Sequence, residues 1–210
     1  MKYLITEQQY RILNEETEEI LELPFKMFNN DWNLLQEYLG MIGNPPYKII
    51  DNLILRNIEI ESFGNLVSIE GDLDMIRVKI KSLGNLKYVG GNFDTGGDED
   101  PISTVEIESL ENLEEVGGKL NLLANRTIKD LGNLRRVGGF MDLSETKIAS
   151  LGNLEYVGDN LWLWGNKKIK DLGKLKYVGD TIILGKSLLS QTMTEKEIRQ
   201  QVHVGDRISM

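Results

Sequence analysis

The stretch Leu151-Gly-Asn-Leu-Glu-Tyr-Val-Gly-Asp-Asn-Leu-Trp-Leu-Trp-Gly-Asn166 decides the fold, because the chain has already written it once, as Leu131-Gly-Asn-Leu-Arg-Arg-Val-Gly-Gly-Phe-Met-Asp-Leu-Ser-Glu-Thr146. The same frame begins at Phe63, Leu83, Leu110, Leu131, Leu151 and Leu172, with successive spacings of 20, 27, 21, 20 and 21 residues. Three residues beyond each tetrapeptide stands Ile69, Val89, Val116, Val137, Val157 or Val178. A turn pair follows, for example Gly138-Gly139 or Gly158-Asp159, and then an alternating run such as Leu161-Trp162-Leu163. Self-similarity at this period is the mark of a solenoid. The period-two alternation predicts a short strand with one face buried, and stacked coils then form a parallel sheet at about 4.8 Å spacing. The second residue of each turn pair is only Gly or Asp, which predicts a left-handed backbone there.

Working outward, the expected architecture is mostly β with helical ends. It is a parallel β-solenoid of about six to seven coils over residues 51–186, between an N-terminal cap (1–50) and a C-terminal cap (187–210). Residues 1–46 lack the repeat and read as helical, with Thr6 and Asp31 as N-caps. Leu34, Leu35, Tyr38 and Leu39 fall on one helical face, and Gly43 with Pro45-Pro46 ends that segment. Asn52–Ile60 reads as a degenerate opening coil. Near the other end, Thr194-Glu-Lys-Glu197 is a capping box that introduces a short helix, and Val202–Ile208 reads as strand.

Leu120-Asn-Leu-Leu-Ala-Asn125 and Leu161-Trp-Leu-Trp-Gly-Asn166 match Leu-x-Leu-x-x-Asn, and through them the chain resembles the short leucine-rich-repeat proteins of bacteria and viruses. The phrase Leu-x-x-Val-Gly-Gly-x-Leu-x-Leu is also similar to the coils of receptor L domains. The resemblance covers about residues 51–186 and implies a binding protein without naming its partner. It also implies that the Asn side chain ties adjacent coils together. Ile58, Val78 and Thr146 stand where other coils would carry that Asn. The opening, with Ile5-Thr6-Glu7 and Gln9, resembles the start of small bacteriophage open reading frames.

The chain of 210 residues carries a formal net charge of −9, which argues against a nucleic-acid partner. No run approaches the length of a membrane span, and Met1–Glu7 turns polar too early for a signal-peptide core. Zero Cys removes disulfides, thiolate metal sites and a Cys nucleophile, and a cytoplasmic location is expected. His203, the only histidine, argues against a catalytic triad, and the glycine pairs lack the Lys-Ser/Thr of a phosphate loop.

Candidate functional residues come from the outward positions of the alternating strands: Asp74, Asp94, Asn121, Leu123, Phe140, Asp142, Trp162 and Trp164. Trp is the residue most enriched in interface hot spots, so this face is the expected paratope for a protein partner. Two competing expectations are a carbohydrate- or surface-recognising viral accessory or virion protein, and a polysaccharide-active enzyme using Asp74 and Asp94 on neighbouring coils. No catalytic residue, metal or cofactor is assigned. The acidic insert Thr95–Pro101 reads as a loop, and the lysines at 79, 81, 129, 147, 168 and 170 as a solvated edge, broken by Glu106 and Glu108.

Overall fold

A computed structural model describes residues 20–95 and 105–210. Thr6 and all of the acidic insert except Thr95 lie outside the described residues. Each coil lays down two short strands separated by the turn pair, and the two series build two all-parallel sheets. The first sheet runs from Leu21–Leu23 through Tyr47–Ile49 and Tyr156–Val157 to His203–Val204; the second runs from Leu53–Arg56 through Leu161–Trp162 to Ile208–Ser209. Among the described residues they hold nine and eight strands. Equivalent residues pair in register: Leu120, Met141, Leu161, Ile182 and Ile208 form one column.

The core is a stack of equivalent apolar rings. In one coil Val137, Met141, Leu143, Ile148, Leu151 and Leu154 are all fully buried, and the next coil repeats this with Val157, Leu161, Leu163 and Ile169. A single ring cannot bury both of its flat sides, so it is stable only between neighbours.

The glycines of the turn pairs correct the expectation drawn from them. None of these glycines has positive φ. Their requirement is close approach: a Cβ on Gly138 would stand 2.0 Å from the Gly117 carbonyl oxygen, and one on Gly158 would stand 1.9 Å from that of Gly138. The column continues through Gly179 to Gly205. The left-handed positions lie elsewhere. One set is the second residue of the Leu-Gly-Asn-Leu frame, where Gly64, Gly84, Gly132, Gly152 and Gly173 have φ of 55–61° and Glu111 has 51°. The other follows the second strand in six of the coils, at Asn57, Arg77, Ala124, Glu145, Gly165 and Lys186. At the first set a Ser or Asp two residues earlier accepts the backbone N–H, as Ser150 does from Gly152 and Asp171 from Gly173. That hydrogen bond fixes the turn.

The strand ladder runs past both expected boundaries of the solenoid. At the N-terminal end Leu21–Leu23 is a strand paired with Tyr47–Ile49, so this part of the cap is not helical. Between them lie a 3-10 turn, Phe25–Phe28, and helix α1, Trp32–Met41, whose first turn is capped by Asp31 Oδ1 accepting from Asn33 and Leu34 N–H. Of the predicted apolar face, Leu35 and Leu39 are buried whereas Leu34 and Tyr38 are exposed; Trp32, Phe25 and Phe28 complete the cover. At the C-terminal end, α2 (Leu189–Thr192) and α3 (Glu195–Gln201) replace the extended part of a coil, and the capping box at Thr194 and Glu197 forms. Val204-Gly205-Asp206 then repeats Val178-Gly179-Asp180 in register, which makes the C-terminal strands a last coil. Among the described residues no helix is long and apolar enough to cross a membrane.

Candidate functional site

The outward face of the second sheet divides into three regions. At its start Ile54, Asp74 and Asp94 pair in register on successive coils. Both carboxylates face cations: Arg56 Nη2 lies 2.7 Å from Asp74 Oδ2, and Lys119 Nζ lies 3.0 Å from Asp94 Oδ2. Asp94 Oδ1 also accepts from the Asn121 amide at 3.2 Å. The two aspartates are thus neighbours, as the repeat predicts, and their charge is matched inside the protein.

In the middle, Asn121 and Asp142 are buried, which corrects their reading as exposed contact residues. Their side chains curl back to the backbone: Asn121 Oδ1 accepts from Leu123 N–H and Asp142 Oδ1 from Ser144 N–H at 2.8 Å. Period-two alternation gives the face a side chain leaves from, and a short polar side chain can still turn and satisfy a local N–H. Leu123 is half-buried beside them.

The third region is aromatic. Trp162 and Trp164 stay 40% and 39% exposed, so no described segment closes over them. The ring of half-buried Phe140 meets Trp162 edge-on, with centroids 4.9 Å apart. Lys186 places its ammonium 4.9 Å from the centre of the Trp164 ring. Around Trp164 lies a shallow hollow lined by Arg126, Glu145, Lys147, Lys167, Lys168 and Lys186, among others. Five of those six are cations, on a chain whose net charge is −9. The sequence pattern places Lys147 and Lys168 on a solvated edge and does not single out Arg126, Lys167 and Lys186. The signal was present: Arg126, Lys147 and Lys167 each follow the column Asn125, Thr146, Asn166 by one residue.

That polar column is buried and differs from what the leucine-rich-repeat resemblance implies. Asn125 and Asn166 tie down backbone N–H groups of their own coil, at Thr127 and Ile128 and at Lys168 and Ile169. The link between coils is side chain to side chain, from the Asn166 amide to Thr146 Oγ1 at 3.1 Å. Thr146 therefore substitutes for Asn by offering an acceptor at that point.

The first sheet carries an outward stack that the strand reading missed. The Arg136 guanidinium lies 3.9 Å from the Tyr156 ring centre, Tyr156 stacks on Tyr177 at 4.9 Å, and Tyr177 stacks on His203 at 5.2 Å. These residues pair in register, so the stack follows from one aromatic position recurring at the coil spacing. Among the described residues no cluster of three or more His, Asp or Glu side chains is placed to hold a metal ion. Neither a protein-family model, nor a curated protein, nor a solved structure matches the chain.

Proposed function

We propose that the protein is a non-catalytic interaction scaffold of leucine-rich-repeat type, which holds a protein partner on the outward face of its second sheet around Phe140, Trp162 and Trp164. The observation that carries this reading is the pair of tryptophans left about two-fifths exposed, Trp162 on an in-register strand and Trp164 in the turn that follows it. Placing two large apolar rings in water has an energetic cost that the fold does not require, since Asp142 and Ile183 occupy the sites flanking Trp162 in the same column. A partner that covers them recovers it, and Trp at such a position is the usual hot spot.

The enzyme alternative loses support at Asp74 and Asp94. Each carboxylate is engaged by a cation, whereas a retaining pair needs one of its acids free to carry a proton. Carbohydrate recognition remains the competing binding mode, because an exposed Trp ring in a shallow hollow also suits a flat sugar face. The cytoplasmic location and viral accessory role expected from the sequence belong with this proposal.

Affinity capture from the native source with wild type, Trp162→Ala and Trp164→Ala tests it. A partner held by wild type should be lost or weakened by about 2 kcal/mol or more in the Trp variants, with melting temperature little changed. Equal capture by all three proteins refutes the proposal. Binding to a glycan panel, with no protein captured, moves the assignment to carbohydrate.

A further inference from the structure

The lateral faces of the solenoid follow a simple charge rule: a cation on one coil faces a carboxylate on the next. Lys79 pairs with Glu59, Lys81 with Glu61, Lys129 with Glu108, Arg136 with Glu115 and Lys176 with Glu155. One stretch of neighbouring coils departs from the rule together. Arg126, Lys147 and Lys167 occupy equivalent positions on three successive coils, set by the register of Leu120, Met141 and Leu161. All three are exposed, as are Lys168 and Lys186 beside them. Among the described residues no carboxylate forms an ion pair with any of the five. Stacked coils set the backbones of these like-charged residues about 4.8 Å apart, so their cationic side chains share one edge, and an anion bound there would relieve their repulsion.

We infer that this cation ladder and Trp164 together form a subsite for an acidic polypeptide segment that also carries an apolar or aromatic side chain. The inference rests on the binding role proposed above and specifies the partner's chemistry. Charge complementarity selects an anion, since five cations line the hollow against Glu145 alone among carboxylates. The choice among anions comes from the surface next to it. Trp164 stands two residues from Trp162, which meets Phe140, so the basic hollow opens onto an apolar strip. A polypeptide presents carboxylates and apolar side chains on one chain and can fill both. An acidic polysaccharide can lay one sugar face on Trp164 but carries no apolar side chain to cover Phe140 and Trp162 as well. A nucleic acid would bring a long run of phosphates toward the acidic remainder of the chain. Lysines dominate the ladder, and as mobile point charges they suit carboxylates spread along a flexible segment. Lys167 donates to the Lys186 carbonyl and Lys186 covers one part of the Trp164 ring, so an arriving carboxylate can draw the ammonium groups aside and uncover the ring.

The test uses the full chain and a fluorescent random copolymer of glutamate and tyrosine as probe, with polyglutamate, heparin and oligothymidylate as comparators. Wild type should bind the Glu/Tyr copolymer more tightly than any of the three, and the binding should weaken steeply as salt is raised. Lys147→Glu with Lys167→Glu should lower that affinity about tenfold or more, and Trp164→Ala should also weaken it. Lys79→Glu with Lys176→Glu makes the same change in net charge on the neutralised rungs and should leave affinity within about twofold. Melting curves confirm that each variant is folded. The inference is overturned by no binding to the copolymer, by equal loss in the two double variants, or by tighter binding of heparin or oligothymidylate. A native partner that depends on Trp162 but is unaffected by Lys147→Glu with Lys167→Glu would leave the scaffold function standing and remove this inference alone.

Discussion

Three adjacent residues show how sharply single positions differ in this fold. Leu161 and Leu163 are fully buried, whereas Trp162 between them is 40% exposed. Leu161→Ala or Leu163→Ala should cost about 2–5 kcal/mol in denaturant unfolding, and Trp162→Ala should leave the midpoint nearly unchanged. The turn pairs give an equally local contrast. Any side chain at Gly138 meets the Gly117 carbonyl, so Gly138→Ala should destabilise by about 1–3 kcal/mol or more. At Gly139 the nearest atom to a Cβ is 3.2 Å away, and Asp159 and Asp180 already stand in the equivalent place, so Gly139→Asp should be tolerated. Equal losses at the two sites would contradict the close-approach account. The glycine column was legible in the sequence, but its cause was not. A pattern of Gly and Asp is consistent both with left-handed turns and with crowded backbones, and only the stacking distance separates them.

Elements at the two ends close the apolar stack, and each has its own chemical test. Helix α1 is joined to the solenoid through Tyr47, whose hydroxyl accepts from the Gln36 amide at 3.2 Å. Burial pushes the Tyr47 phenol from 10.0 up to about 12, against a smaller lowering by Gln36. The unfolded chain therefore releases that proton first as pH rises. Stability from this group is complete below pH 10.0 and falls as pH rises toward about 12. Tyr47→Phe should remove that part of the alkaline slope in a pH series of thermal melts. At the other end, Thr194 holds the Glu197 carboxyl below its usual range through backbone and side-chain hydrogen bonds, so the capping box loosens as acid protonates it. Thr194→Ala should cost about 1 kcal/mol, read as a lower melting temperature. Sequence signals at helix ends are local, which is why Asp31 and Thr194 could be read directly. The strand at Leu21–Leu23 could not, because three residues without a repeat gain strand character only from pairing with Tyr47–Ile49. The same limit hid the burial of Asn121 and Asp142, whose side chains turn toward N–H groups that alternation does not locate.

For the whole molecule, stability passes from coil to coil, and the N-terminal cap covers the first ring with Phe25, Phe28, Trp32, Leu35 and Leu39. Deleting residues 1–46 should expose Phe63 and the opening strands, so the truncated chain should aggregate or lose its cooperative melt. A soluble fragment that melts cooperatively would show that the cap is dispensable. The glycine column has a further meaning for the molecule's history. Gly158 stands against Gly138 as Gly138 stands against Gly117. Residues 138–157 could therefore be excised, joining Val137 to Gly158, and the vacated place would be filled by a glycine that already fits it. Such a chain should fold as a shorter copy of itself, whereas removing half that length would set side chains against carbonyls. Apart from loop insertions such as the one behind the 27-residue spacing, chains built on this plan are expected to differ in length by whole coils.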